Sequence, residues 1–181
     1  MSASIWSGGS TTQLFIHPPG SGYAARDFEV RVSSATVEEQ SSVFTSLPGY
    51  YRILMPLSAP LRLVYQDHGE VFVNPLEAVE FEGEWHTVSH GVCTDLGVML
   101  AAGWHGSLEP ARSGVYKGCP GFMGVYAMAD RIKFSAKEND ESLSDTLMQG
   151  DFLLLESQAA VRLALESPSA NAAVLIRVFK L

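Results

Sequence analysis

Apolar and polar residues alternate on a two-residue period through much of this chain, most clearly in Phe28-Glu29-Val30-Arg31-Val32-Ser33. Such a period marks a strand, whose successive side chains leave on opposite faces. Phe28, Val30 and Val32 form a face read as buried. Glu29, Arg31 and Ser33 form the other, which is either solvent or the wall of a polar cavity. The same reasoning predicts strands over residues 12–16, 28–33, 52–57, 61–65, 71–73, 85–88 and 95–101. It predicts further strands over 126–134, 151–156, 161–166 and 172–181. Turn-forming groups such as Pro18-Pro19-Gly20, Pro48-Gly49, Asp67-His68-Gly69 and Asn74-Pro75 separate nearly all of them, glycine supplying positive φ and proline holding φ at about −65°. No long window keeps apolar residues at three-and-four spacing, so helix is limited to single turns near 36–42 and 157–160. Many short strands joined by regular turns predict an all-β, antiparallel sandwich or barrel.

Two segments echo each other: Phe81-Glu82-Gly83-Glu84-Trp85 and Met148-Gln149-Gly150-Asp151-Phe152 each place a glycine and an acid beside an apolar strand. That echo suits two fused small barrels, with halves near 1–105 and 106–181 and N-terminal strands free to be shared between them. At 181 residues, 46% hydrophobic and 18% charged, the chain has enough apolar material for a core without disulfides or structural metal. The formal charge of -8 repels phosphate backbones and anionic headgroups, so nucleic acid and membrane are not expected as partners. Cys93 and Cys119 lack the CxxC spacing of a redox or zinc motif and read as reduced thiols. With no leader-like N-terminus and no apolar run of roughly 20 residues, a cytoplasmic protein is expected.

The candidates for a metal are Glu84, His86 and His90. On a strand, however, His86 and His90 stand about 13 Å apart at the usual rise per residue, too far to share one ion. No metal and no cofactor is therefore expected. There is no Gly-x-Ser-x-Gly elbow, neither cysteine sits in a nucleophile motif, and Gly8-Gly9-Ser10-Thr11-Thr12 lacks the lysine of a phosphate loop. Arg31 and Arg52 remain. A guanidinium is the side chain best shaped to grip a carboxylate, through a planar fork of N–H donors. Two readings stand for Arg31: a structural ion pair with Asp27 or with an acid on a neighbouring strand, or the anion-binding group of a cavity.

Four blocks together resemble the HutD/Ves family. They are Trp6-Ser7-Gly8-Gly9-Ser10-Thr11-Thr12-Gln13; Arg26-Asp27-Phe28 running into Arg31–Glu38; Ser42–Arg52; and Phe81-Glu82-Gly83 with Gly91 and Asp95-Leu96-Gly97-Val98-Met99. The resemblance implies a bicupin of the RmlC-like kind, two fused antiparallel β-barrels. It also implies an accessory or regulatory role in histidine utilisation with no assigned reaction. The chain departs from the family pattern at Ser7 and Ser10, where an asparagine and a third glycine are common, and at Gly97, where an asparagine is common. By resemblance the pocket is Trp6, Thr12, Arg31, Ser33, Arg52, Asp95 and Met99, holding a small carboxylate such as an intermediate of histidine breakdown. The alternative is a cupin enzyme of isomerase or oxygenase type, acting on a sugar or amino-acid derivative at Glu84 and His86 with His90 or His105. A third reading is an interaction module with an exposed apolar patch. A homodimer formed through edge strands is compatible with each.

Overall fold

The computed structural model describes every residue except Met1, Ser7 and Cys119, and the backbone only of Ser2. Two features singled out above, the departure at Ser7 and the thiol of Cys119, lie outside the described residues. All sheets are antiparallel and no helix occurs among the described residues. In particular, none is long and apolar enough to cross a membrane.

Contacts divide the chain into two compact units, residues 1–104 and 105–181. The first unit begins with β1 (Ser2–Trp6), β2 (Gly9–His17), β3 (Val30–Val37), β4 (Ser41–Val43) and β5 (Tyr50–Pro56). It continues with β6 (Leu61–Tyr65), β7 (Gly69–Val73), β8 (Val79–Glu82), β9 (Thr87–His90) and β10 (Cys93–Ala101). One sheet runs β1-β2-β3-β10-β5-β8 and the other β4-β9-β6-β7. Leu54, Phe81 and Cys93 from the first sheet meet Leu61, Leu63, Tyr65 and Val73 from the second in one buried cluster, so the core lies between the sheets.

In the second unit, β11 (Trp104–Ala111, its first residue assigned to the first unit), β18 (Ala173–Lys180), β13 (Gly121–Ala127) and β16 (Phe152–Ser157) form one sheet. The other runs β12 (Gly114–Lys117), β17 (Arg162–Glu166), β14 (Ile132–Glu138) and β15 (Glu141–Leu147). Met123, Val125 and Leu175 pack against Ile132, Leu163 and Leu165 between these layers. Each unit is thus a small two-sheet barrel, and the chain is an all-β bicupin.

The alternation reading located most strands but missed β1, β4, β8, β11, β12 and β15, which are polar, short or mixed in pattern. The strand expected over 126–134 is broken. Residues 128–131 form a bend in which Arg131 takes φ 59°, so the segment is the end of β13 and the start of β14, in different sheets. No glycine or proline marks that break. Glycine is required at Gly83, where a Cβ would lie 2.6 Å from the Leu47 carbonyl oxygen and 2.7 Å from that of Tyr50. The backbone there closes two hydrogen bonds, Leu47 N–H to the Gly83 carbonyl and Gly83 N–H to the Tyr50 carbonyl, each 2.7 Å. They pin the loop that enters β5, and so fix the height at which Arg52 leaves the sheet.

Candidate ligand-binding site

Register builds the site. In antiparallel ladders, residues directly opposite share a face. β10 runs between β3 and β5, pairing Met99 with Arg31 and Arg52, Gly97 with Ser33 and Leu54, and Asp95 with Ala35 and Pro56. Three rows therefore face the same way: an arginine row, a small-residue row and an acid row. They line a cavity of about 400 Å³ in the first unit, closed by Trp6, Thr11, Tyr23, Phe44 and Thr45 among others. Two of the three residues on the polar face read from the sequence form the cavity wall, Arg31 and Ser33, each 6% exposed, whereas Glu29 lies before β3 and accepts from Trp104 Nε1 at 2.9 Å.

Arg31 donates from Nε to Gln13 Oε1 at 3.1 Å and from Nη1 to Ser33 Oγ at 3.1 Å, and its guanidinium lies 4.5 Å from the Tyr23 ring centre. Tyr23 stacks on Phe28 and Phe28 on Tyr50, whose hydroxyl donates to the carbonyls of Arg26 and Phe28. That tether holds the loop beneath Arg31. Arg52 donates from Nη2 to the Thr45 carbonyl and sits over Phe44, while its Nε is buried without an acceptor among the described residues. Burial pushes both guanidiniums below their ordinary range, and for Arg52 the nearby charge of Arg31 adds to the effect.

The first of the two readings of Arg31, a structural ion pair, is not realised among the described residues. Asp27 instead accepts from the Gly22 N–H at 2.8 Å, and arginine–carboxylate pairs occur elsewhere, as in Arg62–Glu70 and Arg177–Glu109. Two buried cations thus share one cavity without a carboxylate partner, a costly arrangement for an empty site because each charge has lost water. Asp95, 6% exposed, lies two rows away with no hydrogen bond or ion pair among the described residues, and burial raises it to about 7.

Of the residues the sequence proposed, Trp6, Arg31, Ser33, Arg52, Asp95 and Met99 all line this cavity. Thr12 does not. It pairs with Ser34 on the opposite face, while Thr11 pairs with Ala35, faces inward and accepts from Trp6 Nε1 at 3.1 Å. A register shift between Gln13 and Phe15 is the cause. Gln13, Tyr23 and Phe44 were missed. Gln13 stands two residues from Thr11 and the shift hid both; Tyr23 and the carbonyl of Thr45 come from loops, where periodicity carries no signal.

Glu84 and His86 are exposed in the turn before β9, and His90 is half-buried at that strand's end. None lines the cavity, and no group of three or more metal-ligating side chains converges among the described residues. A cavity lined by a single carboxylate, with two guanidiniums on the same walls, offers a donor set unsuited to a divalent cation. A second hollow, about 330 Å³, lies on the second unit against Lys133, Asp145 and Glu166, whose charges are exposed to solvent.

The HutD family model matches residues 1–173. The chain belongs to the HutD family. A conserved protein of unknown function from Pseudomonas aeruginosa PAO1 superposes with a TM-score of 0.82 at 20% identity, over 99% of this chain and 94% of that one. HutD from Pseudomonas fluorescens SBW25 does so with a TM-score of 0.77 at 19% identity, over the same shares. More distantly, a Bacillus subtilis oxalate decarboxylase matches with a TM-score of 0.64 at 7% identity, over 99% of this HutD-family chain and 74% of that one. These likenesses bear on fold alone and agree on the cupin barrel. Among curated proteins none matches.

Proposed function

We propose that this HutD-family bicupin binds a small carboxylate metabolite in the cavity of its first unit and acts by binding, as an accessory or regulatory protein of histidine or amino-acid utilisation. The observation that carries the proposal is the pair Arg31 and Arg52, both 6% exposed, lining one cavity with no carboxylate beside them. An incoming carboxylate would accept from N–H donors left free on both guanidiniums and neutralise a charge the protein leaves uncompensated. Phe44, Leu54 and Met99 supply apolar wall for its carbon skeleton. Support for the pathway comes from membership of the HutD family alone.

A thermal-shift screen of small carboxylates tests the proposal. At a hundred times its dissociation constant, a ligand stabilises by about 2.7 kcal/mol. A shift in the wild-type protein that disappears in Arg31→Ala is expected. No shift with any acid, or a shift unchanged by the substitution, refutes it.

A further inference from the structure

Asp95 is the group that carboxylate binding leaves unexplained. It faces the same cavity as the arginines, from the central strand β10, and is almost wholly buried with no partner among the described residues. A second anion in a site for anions works against it unless something arrives to pair with it. We propose that the ligand is bifunctional, a carboxylate that also carries an N–H donor, cationic or neutral, and that Asp95 receives that donor at the end of the cavity opposite the guanidiniums. This assignment rests on the carboxylate site proposed above and deepens it.

Geometry supports the arrangement. Arg31 Nη1 reaches Ser33 Oγ, so its guanidinium leans toward the middle row, occupied by Ser33 and Gly97. The acid row lies one strand repeat further, roughly 7 Å at the backbone. Between them Gly97 presents no side chain. A Cβ placed there would have only Ser33 Oγ near it, at 3.8 Å, so the space between cationic and acidic ends is open. The span suits a ligand whose two polar ends are separated by a few bonds. Burial without a partner also keeps Asp95 partly protonated near neutral pH, a state that a bound donor would shift toward the carboxylate.

Calorimetry with two matched pairs of probes tests this at about pH 8: 5-aminopentanoate against pentanoate, and glutaramate against monomethyl glutarate. In at least one pair the N–H-bearing probe should bind about tenfold more tightly, the gain of one charge-assisted hydrogen bond. In Asp95→Asn that preference should fall to within about twofold while the N–H-free probe binds at least as tightly as before, because an anion has left the cavity, and that binding also shows the variant to be folded. Wild-type protein at about pH 5.5 provides the same contrast without substitution, because Asp95 is then protonated. The titratable and charged groups around it are Cys93 on its own strand, Arg31 from β3, Arg52 from β5 and Tyr23 from the loop before β3, and neither arginine changes charge in that interval. Equal binding within both pairs, or a preference that survives Asp95→Asn, overturns the assignment of Asp95 and leaves the carboxylate site standing. Failure of all four probes to bind, together with an unresponsive carboxylate screen, refutes both.

Discussion

Removing the charges of Arg31 and Arg52 singly and together, as Arg31→Met, Arg52→Met and the double variant, measures whether the two guanidiniums share one cavity. Both pair with Met99 across β10, so their backbones stand two strand spacings apart, about 10 Å. At that distance, with the effective dielectric suited to buried sites, two like charges repel by about 1.7 kcal/mol. Each single substitution loses its own contacts, among them the Gln13 and Ser33 hydrogen bonds of Arg31 and the Thr45 and Phe44 contacts of Arg52, but also relieves that repulsion. The double variant relieves it only once. Urea unfolding of ligand-free protein should therefore show the double variant less stable than the sum of the singles by about 1.7 kcal/mol. Saturating carboxylate reverses the sign. If binding needs both guanidiniums, ligand at a hundred times its dissociation constant brings the coupling to about -1 kcal/mol. Additivity within about 0.3 kcal/mol, or favourable coupling without ligand, would refute the reasoning, since the charges would then be screened or separately compensated.

Three further outcomes are expected. Asp95, raised from 3.8 to about 7, binds its proton more tightly folded than unfolded. Its contribution is therefore full below about pH 4, is lost as pH rises toward 7 and stays lost above, a change on the order of 4 kcal/mol. Asp95→Asn should accordingly raise the urea midpoint at about pH 8 and leave it nearly unchanged at about pH 4; equal effects at both would contradict this. Gly97→Ala, at a position without positive φ and with room for a methyl group, should leave stability unchanged or raise it by about 0.5 kcal/mol while weakening ligand binding in calorimetry. Gly83→Ala should cost about 2 kcal/mol or more by chemical denaturation, because its Cβ meets two backbone oxygens that cannot move aside.

Strand positions and the buried character of Phe28, Val30 and Val32 were readable because period and burial coincide there. The meaning of Arg31 was not. An alternating polar face looks the same whether it meets water or a cavity, and only the facing sheet decides. Thr12 shows a sharper limit. Counting back from the inward Ile16 in twos reaches Leu14 and Thr12, but the bulge between Gln13 and Phe15 inverts the parity, so Thr11 and Gln13 face the site. No residue in that stretch announces a bulge. Arg52 was legible as a residue type and in the family block, whereas its pairing with a backbone carbonyl and an aromatic ring, Thr45 and Phe44, is a property of three-dimensional packing. The loop residues Tyr23 and Phe44, which support the two guanidiniums, obey no period at all.

The central place of β10 also has an evolutionary consequence. Laddered on both sides, its backbone is held by β3 and β5 whatever its side chains are, while positions 95, 97 and 99 form its row on the cavity face. Drift at those three sites can retune ligand choice without disturbing the arginines, which neighbouring strands supply. Selectivity in such a barrel is therefore a transplantable cassette: exchanging Cys93–Ala101 between relatives should carry ligand preference with it and leave anion capture behind.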